Sequence, residues 1–241
     1  MAQIDDQGRA IRSIEPLEGL RKIIAERMTL SKHTYPQGTG QVHLEVSKVI
    51  QFRQELLKQK GIKVSFGDLY VKAAACAVEE NMELNASRRP EQITYYEDIN
   101  INVLASMNGI LMEPVVEHAD QKDIEEISAE LSKTYEYLKK GRLMRVKLEG
   151  GTFSVSNMGS WLIDSQQPFI SPPQGAIMGI SRNRRVPIFG ENDEIVAANM
   201  TNFALTIDHG LCDGSTVTNF FTSLNKVFQD PWTWMYHKRT V

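Results

Sequence analysis

At 241 residues the chain is long enough to bury a full core, and we expect a single large domain. The formal net charge is −3 with 24% charged residues, and the basic residues are dispersed, which argues against binding to nucleic acid or to a membrane surface. No apolar run approaches the ~20 residues of a membrane span, and Cys76 and Cys212 stand far apart without a secretory leader pattern, so we expect a reducing, cytoplasmic setting.

The N-terminal segment divides into a polar stretch and a helix. Residues 1–13 are polar and aperiodic, so we predict a flexible lead-in, with the domain itself over residues 14–241. The next apolar residues recur at helical spacing and predict an amphipathic first helix. They are Leu20, Ile23, Ile24 and Met28.

A strand and a second helix follow. Apolar and polar residues alternate over residues 42–46, which predicts a strand with one buried face. The helix after it is predicted to be capped by Ser47 and ended by Gly61. His43 and Glu45 point to the same side of the strand, but the nearby sequence offers no third metal ligand. We therefore expect both side chains to face solvent and predict no metal site.

The middle of the chain predicts a buried helix and two extended segments. Ser65 opens an Ala-rich helix in the pattern of a capping box, with Phe66 facing inward and the helix ending near Asn81. Alternation over residues 99–103 predicts a strand, and extended structure resumes over residues 111–116. The small side chains of the helix favour close packing on a sheet.

A charged helix and further strands come next. The helix is predicted over residues 123–140, ends at Gly141 and presents a solvated outer face. Residues 150–159 read Gly-Gly-Thr-Phe-Ser-Val-Ser-Asn-Met-Gly, which predicts a strand ending in a serine and a glycine turn. A phosphate loop is excluded there, because the Gly-Lys-Ser/Thr that would follow is absent. A strand over residues 175–180 and a hairpin around residues 190–193 follow.

A histidine lies where the last predicted strand meets the last predicted helix. The apolar strand leads into His209, and Asp213 stands four residues later, before the helix. Gly210 and Gly214 release the backbone for a sharp turn that would hold the imidazole in one orientation, as a general base requires. The helix carries an apolar stripe of Val217, Phe220, Phe221, Leu224 and Phe228.

Several segments, in this order, resemble the catalytic domain of the dihydrolipoamide acyltransferases of the 2-oxo acid dehydrogenase complexes. They are residues 16–28, 83–87, 150–159 and 206–214. The His-x-x-x-Asp-Gly string is also similar to that of chloramphenicol acetyltransferase, a relative of these enzymes. The resemblance spans roughly residues 14–230 and implies an α/β fold. That fold is a chloramphenicol acetyltransferase-like two-layer sandwich, a mixed β-sheet covered by helices, assembled as a homotrimer with active sites between subunits.

The resemblance also implies a reaction and roles for residues. An acyl group would pass between coenzyme A, as a thioester co-substrate, and dihydrolipoamide, with the lipoyl group an acceptor on another domain or chain and no metal involved. His209 would be the general base, and Ser156 would donate a hydrogen bond to the oxyanion of the tetrahedral intermediate. Asp213 would support the histidine loop rather than take the proton, in an ion pair with Arg21 of the first helix. No residue is assigned to binding coenzyme A.

The chain departs from the family pattern at several places. Gly210 stands where the dihydrolipoamide acyltransferases have arginine, and Cys212 is more similar to chloramphenicol acetyltransferase. Residues 106–109 lack the acidic residue and arginine found in relatives. No lipoyl or subunit-binding domain precedes Ile14, and residues 232–239 do not resemble the leucine-rich end that joins trimers into shells. We therefore expect either a catalytic core cut out of a longer protein or a free-standing enzyme, and leave open a shell larger than a trimer.

Two alternatives to the dihydrolipoamide reaction follow from these departures. The first is a free-standing acyltransferase that uses an acyl thioester and a small-molecule hydroxyl or amine acceptor. The second is a non-catalytic structural subunit of a dehydrogenase complex. Structural relatives typically lose the histidine, whereas His209, Asp213 and Ser156 are all present, so the second alternative is disfavoured.

Overall fold

The computed structural model describes residues 3–107, 110–190 and 192–236. The helices are α1 (Gly19–Thr34), α2 (Ser47–Glu55), α3 (Phe66–Glu79), α4 (Ile124–Lys139) and α5 (Gly214–Gln229). The strands are β1 (Gln37–Glu45), β2 (Ala86–Arg89), β3 (Gln92–Tyr95), β4 (Ile101–Met107), β5 (Ile110–Met112), β6 (Val115–Val116), β7 (Phe153–Asn157), β8 (Ala176–Phe189) and β9 (Ile195–Asp208). Of residues 106–109, which lack the family's charged pair, 108 and 109 lie outside the described residues, as do 237–239 of the C-terminal segment.

Strands from distant parts of the chain form one mixed sheet. Its order is β1-β9-β8-β7-β4, with β5 and β6 both paired to β4, while β2 and β3 form a separate hairpin. Strand β7 is parallel to β4 and β8, whereas β9 is antiparallel to β8 and β1. The predicted hairpin near residues 190–193 connects β8 to β9. The mixed sheet expected from the family resemblance is confirmed.

Helices α2 to α5 cover one face of this sheet and enclose the main core. Phe203, Leu205 and Ile207 are spaced two residues apart along β9, so their side chains lie on the same face and all reach the helical layer. The predicted stripe of α5 meets them, with Phe220, Phe221, Leu224 and Phe228 buried. Truncating a buried phenylalanine such as Phe220 to alanine typically costs ~3–5 kcal/mol, which shows how strongly this contact fixes α5 on the sheet. The predicted two-layer α/β architecture is confirmed.

The opposite face of the sheet is covered by residues 158–174 and by the end of α1. Ile177 of β8 packs there with Tyr35 and Ile170 in a small second core. The Ser31 hydroxyl of α1 donates a hydrogen bond to the Ile170 carbonyl oxygen at 2.6 Å. Gln166 donates from Nε2 to the Ser156 and Ile180 carbonyl oxygens, at 3.2 and 2.8 Å. This segment is therefore held to the sheet at several points along its length.

Local capping patterns were predicted well. The predicted Ser65–Asp68 capping box is present in both directions. A second box, between Asp123 and Glu126, opens α4 and was not predicted. Gly61 adopts the left-handed conformation, φ +71°, where the chain leaves a π-helical turn that extends α2. These features depend on residues close in sequence, which is why the sequence reveals them.

Two side-chain predictions are wrong. Ser47 does not cap α2, because the helix already begins at Ser47 and Val46 occupies the capping position. The Ser47 hydroxyl instead accepts the Asn199 N–H at 3.2 Å, which joins α2 to β9. Phe66 does not face inward but is 37% exposed. It is the first residue of α3, and its ring contacts the Tyr70 ring and the Arg53 guanidinium instead of the core.

The predicted first helix is present as α1, but its apolar side chains lie outside the core of this chain. Of the predicted stripe, Leu20 and Ile23 are exposed, and Ile24 and Met28 are half-buried. Before α1, residues 4–10 form a turn with an Asp5–Arg9 ion pair, and the flexibility of residues 1–13 stays a prediction. Among the helices of the described ranges, none has the length and apolar character needed to cross a membrane.

Candidate active site

His209 follows the last residue of β9 and is fixed through its backbone. Its N–H donates to the Pro36 carbonyl oxygen at 2.8 Å, which attaches it to the residue before β1. The Asp208 carbonyl oxygen accepts the N–H groups of Leu211 and Cys212 at 2.9 and 3.0 Å and closes the turn that leads to α5. The side chain of His209 is exposed in the single chain. The structure thus confirms a histidine at a strand end, beside a helix start.

The imidazole borders a cavity of about 450 Å³ between β1 and α5. Gly38 and Gly40 form one wall, because a methyl group at Gly38 would lie 3.0 Å from His209 Cδ2, and one at Gly40 would lie 2.5 Å from Val217 Cγ1. Thr218 and Phe221 of α5 also line the cavity. The absence of side chains on β1 therefore lets both the histidine and the first turns of α5 approach the strand.

Asp213 caps α5. Its carboxylate accepts the N–H groups of Ser215 and Thr216 at 2.8 and 3.3 Å, together with the Ser215 hydroxyl. These hydrogen bonds, led by that of the hydroxyl, lower the pKa of Asp213, and nearby His209 lowers it further. Asp213 is therefore an ionised carboxylate at neutral pH, at the positive end of a helix.

The predicted ion pair between Asp213 and Arg21 is not formed within the described part of this chain. Arg21 is exposed on α1, whereas the Asp213 carboxylate is directed to the first N–H groups of α5. The three capping contacts are all made by Oδ1 of Asp213. Within one chain, Asp213 therefore contacts the start of α5 and not α1.

An arginine that the sequence did not single out contacts the residue before His209. Arg88 of β2 pairs with Asp208, at 2.6 Å from Nε to Oδ2 and 3.2 Å from Nη2 to Oδ1. The Asp208 side chain is completely buried, and the hydrogen bond to it raises the pKa of Arg88. The two residues are 120 positions apart in the sequence, so no local spacing could have revealed the pair.

Cys212 lies next to this turn but has no nucleophilic character. Burial, reinforced by the negative charges of Glu83, Asp208 and Asp213, raises the pKa of its thiol to about 12. Since the thiolate is the reactive form of cysteine, Cys212 stays a neutral, inert group at physiological pH.

Ser156 lies on β7 and does not meet His209 within one chain. It aligns with Gly179 of β8, which aligns with Ala204 of β9, five residues before His209. Two strand spacings and five residues along a strand separate the two side chains by roughly 15–20 Å. Its neighbour Val155 is buried in the main core, so Ser156 points to the opposite face of the sheet.

A second cavity, of about 480 Å³, opens where β7 ends. Asn157, Gly159 and Ser160, which follow Ser156, line one side, and Phe66 and Tyr70 of α3 line another. Across the described ranges, no three or more His, Cys, Asp or Glu side chains gather in a group that could hold a metal ion. The cavity at the histidine and the cavity where β7 ends are therefore separate within one chain.

A family model and individual relatives place the chain in the same family. The model of the 2-oxoacid dehydrogenases acyltransferase (catalytic domain) matches residues 10–236. The chain is 31% identical over 220 residues to the dihydrolipoyllysine-residue acetyltransferase component of the pyruvate dehydrogenase complex of Rickettsia conorii, which covers 90% of this chain and 53% of that protein. It is 28% identical over 218 residues to the lipoamide acyltransferase component of the branched-chain alpha-keto acid dehydrogenase complex of Bacillus subtilis. That match covers 89% of this chain and 51% of that protein. The chain thus spans about half the length of these curated relatives.

Solved structures agree on the fold. A probable dihydrolipoamide acetyltransferase from Listeria monocytogenes superimposes with a TM-score of 0.85 at 27% identity, covering 95% of this chain and 97% of that one. The dihydrolipoamide acetyltransferase of Azotobacter vinelandii gives 0.87 at 21% identity, covering 97% and 98%. A chloramphenicol acetyltransferase gives 0.54 at 16% identity, covering 95% and all of that chain, so the broader fold predicted from the sequence is also found.

Proposed function

The chain belongs to the acyltransferase (catalytic domain) family of the 2-oxoacid dehydrogenases, and from this membership we propose that it moves an acyl group between coenzyme A and dihydrolipoamide. The observation that carries the proposal is His209, whose backbone is fixed at the strand end while its side chain borders a cavity beside α5. A base held in this way can meet a thiol without reorganising the loop around it.

His209 acts as the general base. A thiol with a pKa of ~8.5 and an imidazole with a pKa of ~6.5 are close enough for efficient proton transfer once they are aligned. The thiolate attacks the acyl thioester and forms a tetrahedral intermediate that bears an oxyanion. When the intermediate collapses, the departing sulfur takes the proton back from the imidazolium. No covalent acyl-enzyme is needed.

Ser156 stabilises the oxyanion from a neighbouring subunit. Ser156 and His209 of one chain are roughly 15–20 Å apart. They cannot both contact the reacting atoms of one substrate, so each active site requires the serine of one chain and the histidine of another. We assign His209 of one subunit and Ser156 of the next to each site of a homotrimer. Comparable oxyanion donors contribute ~10²–10³ in rate. Exposed apolar side chains on α1 and on the β8–β9 hairpin fit such an assembly.

The acceptor is a lipoyl group on another domain or chain. The names of the relatives include the pyruvate and the branched-chain alpha-keto acid dehydrogenase complexes, and we place this chain, or a longer protein that contains it, in a complex of this class. Transfer to a tethered lipoyl domain should exceed transfer to free dihydrolipoamide, because tethering raises the effective concentration of the acceptor. Coenzyme A enters as an acyl thioester.

A second candidate is a free-standing acyltransferase with a small-molecule hydroxyl or amine acceptor. Gly210 and Cys212 favour it, since both positions differ from the dihydrolipoamide acyltransferase pattern. The chemistry at His209 is shared, but a hydroxyl has a far higher pKa than a thiol and must lose its proton as it attacks. The two candidates therefore differ in the acceptor and agree on the base.

The decisive assay measures coenzyme A release from acetyl-, propionyl- and branched acyl-CoA with dihydrolipoamide, a small alcohol or a small amine as the acceptor. We expect release with dihydrolipoamide and a loss of ~10²–10⁴-fold in His209→Ala. His43→Ala is the matched control, since His43 is an exposed histidine of β1, and it should retain full activity. No transfer to dihydrolipoamide together with robust transfer to the alcohol would establish the second candidate, and near-native turnover by His209→Ala would refute the base assignment.

A further inference from the structure

The residue before His209 is a carboxylate with no access to solvent. Asp208 is 0% exposed, and its N–H donates to the Gly175 carbonyl oxygen at 2.8 Å. Its Oδ1 accepts the Gly210 N–H at 2.9 Å, and its carbonyl oxygen accepts two further N–H groups of the same turn. The conformation of the turn that carries His209 is therefore set by the position of Asp208. A buried carboxylate keeps its charge only if a cation or several donors compensate for the lost hydration.

Arg88 provides that compensation from the β2–β3 hairpin. Its guanidinium contacts both carboxylate oxygens, the two-point geometry that arginine forms and lysine cannot. Nη2 also donates to the Thr34 carbonyl oxygen at 3.2 Å, at the end of α1, and the guanidinium lies 5.9 Å from the centre of the Tyr35 ring. Arg88 thus connects the end of α1, the hairpin and the end of β9 at one point.

The same guanidinium explains the glycine at position 210. A methyl group at Gly210 would lie 2.7 Å from Arg88 Nε, 3.0 Å from Cζ and 3.2 Å from Nη2. The guanidinium cannot move aside without breaking its two contacts with Asp208. A side chain at position 210 and Arg88 in its present position therefore exclude each other, and position 210 is where the dihydrolipoamide acyltransferase pattern has arginine.

We propose that Arg88 and Gly210 form a matched pair in which Arg88, acting through Asp208, positions the turn that presents His209 to the substrate. This inference rests on the proposed function for its kinetic consequence, but not for its structural one. Arg88 is a positioning residue, because it contacts Asp208 and not the imidazole.

The pair makes a specific kinetic prediction. Arg88→Ala removes the cation, and Gly210→Ala displaces it, so each should lower kcat for acetyl transfer ~10–100-fold, since small displacements of a catalytic group have effects of this size. The KM for acetyl-CoA should change less than twofold. Because both substitutions act on one contact, the double variant should match the single variants within about threefold rather than multiply their effects. Arg88→Lys should recover part of the loss.

Arg89 offers the matched control. It is the next residue of the same strand and is exposed, so Arg89→Ala should keep the wild-type kcat. Gly210→Ala and Arg88→Lys both retain a positive charge near Asp208. If Arg88→Ala does not fold, kcat is measured in these two variants instead. Multiplicative effects of Arg88→Ala and Gly210→Ala, or a wild-type kcat in both, would overturn the proposal.

A second readout does not depend on the acyltransferase reaction. Modification of each histidine by diethyl pyrocarbonate is followed by peptide mass spectrometry, with exposed His43 as the internal reference. We expect the rate at His209 to change at least threefold in Arg88→Ala and Gly210→Ala and to be unchanged in Arg89→Ala. If the wild type transfers no acyl group while the modification rate of His209 still changes in Arg88→Ala and Gly210→Ala, the proposed function fails and the positioning role stands. If the wild type turns over but neither kcat nor the modification rate of His209 changes in these two variants, the positioning role fails and the proposed function stands.

Discussion

Asp213 illustrates how the place of a residue can be predicted from the sequence while its contact is not. The sequence indicates an aspartate beside the histidine, and the family resemblance suggested an ion pair with Arg21. In the structure the carboxylate caps α5, and Arg21 is exposed on α1. The pattern of an aspartate before a helix contains the capping information, but the choice between a nearby cap and a distant arginine depends on tertiary structure.

At the residue scale we predict that Asp213→Ala lowers both stability and turnover. Loss of the cap should lower the Tm by about 2–4 °C, and the altered start of α5 should reduce kcat, because the same turn carries His209. Asp123→Ala is the control, since Asp123 caps α4 in the same way but lies in another helix. It should lower the Tm by a similar amount and leave kcat unchanged. Thermal unfolding and steady-state assays measure both, and equal kcat losses in the two variants would contradict the local role of Asp213.

The Arg88–Asp208 ion pair could not be predicted from the sequence. Asp208 lies within the recognised motif, yet Arg88 stands in a short strand with no periodic pattern and no neighbouring site residue. Contacts between residues 120 positions apart depend on how the hairpin packs against the end of β9. The glycine at position 210 was visible in the sequence, but its close approach to the Arg88 guanidinium was not.

At the element scale, the helices were predicted more completely than β1. Capping boxes and apolar stripes are local patterns, and the structure has helices α1 to α5 at the expected places. Strand β1 begins at Gln37, whereas alternation indicated a strand only from residue 42. Gly38 and Gly40 have no side chains and so give no alternation of apolar and polar residues. The absence of side chains at these two positions is what lets His209 and Val217 approach β1.

The close contact between β1 and α5 can be tested by adding and then removing volume. Gly40→Ala places a methyl group 2.5 Å from Val217 Cγ1, and overpacking of this kind costs ~1–3 kcal/mol. We expect a lower Tm and reduced turnover, because α5 borders the histidine cavity. Val217→Ala in the same chain removes the clashing atom and should restore part of both. A double variant no more stable or active than Gly40→Ala would show that the contact does not set the position of α5.

At the scale of the whole molecule, a single chain leaves the proposed reaction incomplete. His209 borders a cavity between β1 and α5, whereas Ser156 lies two strands away on β7. Large apolar side chains also remain exposed, including Leu162 at 86% and Phe189 at 74%. The sequence could predict the fold through family resemblance, because several matched segments kept their order. It could not place the two residues in space, because their separation depends on the strand order of the sheet and not on distance along the chain.

The claim that the active site lies between subunits can be tested with mixed trimers. Chains carrying His209→Ala and Ser156→Ala are produced together with different affinity tags, and only assemblies that retain both tags are kept. Light scattering first establishes that their mass is three times the 27.3 kDa of one chain. In a cyclic trimer of either mixed composition, one of the three sites receives an intact histidine from one chain and an intact serine from its neighbour.

The decisive measurement is therefore the rate of acetyl transfer from acetyl-CoA to dihydrolipoamide by these mixed trimers. Each parent homotrimer lacks one of the two groups at all of its sites and should be ~10²-fold or more below wild type. We predict that the mixed trimers recover about one third of the wild-type rate per trimer, since one site in three is complete. A mixed trimer no more active than the average of its two parents would contradict an active site shared between subunits.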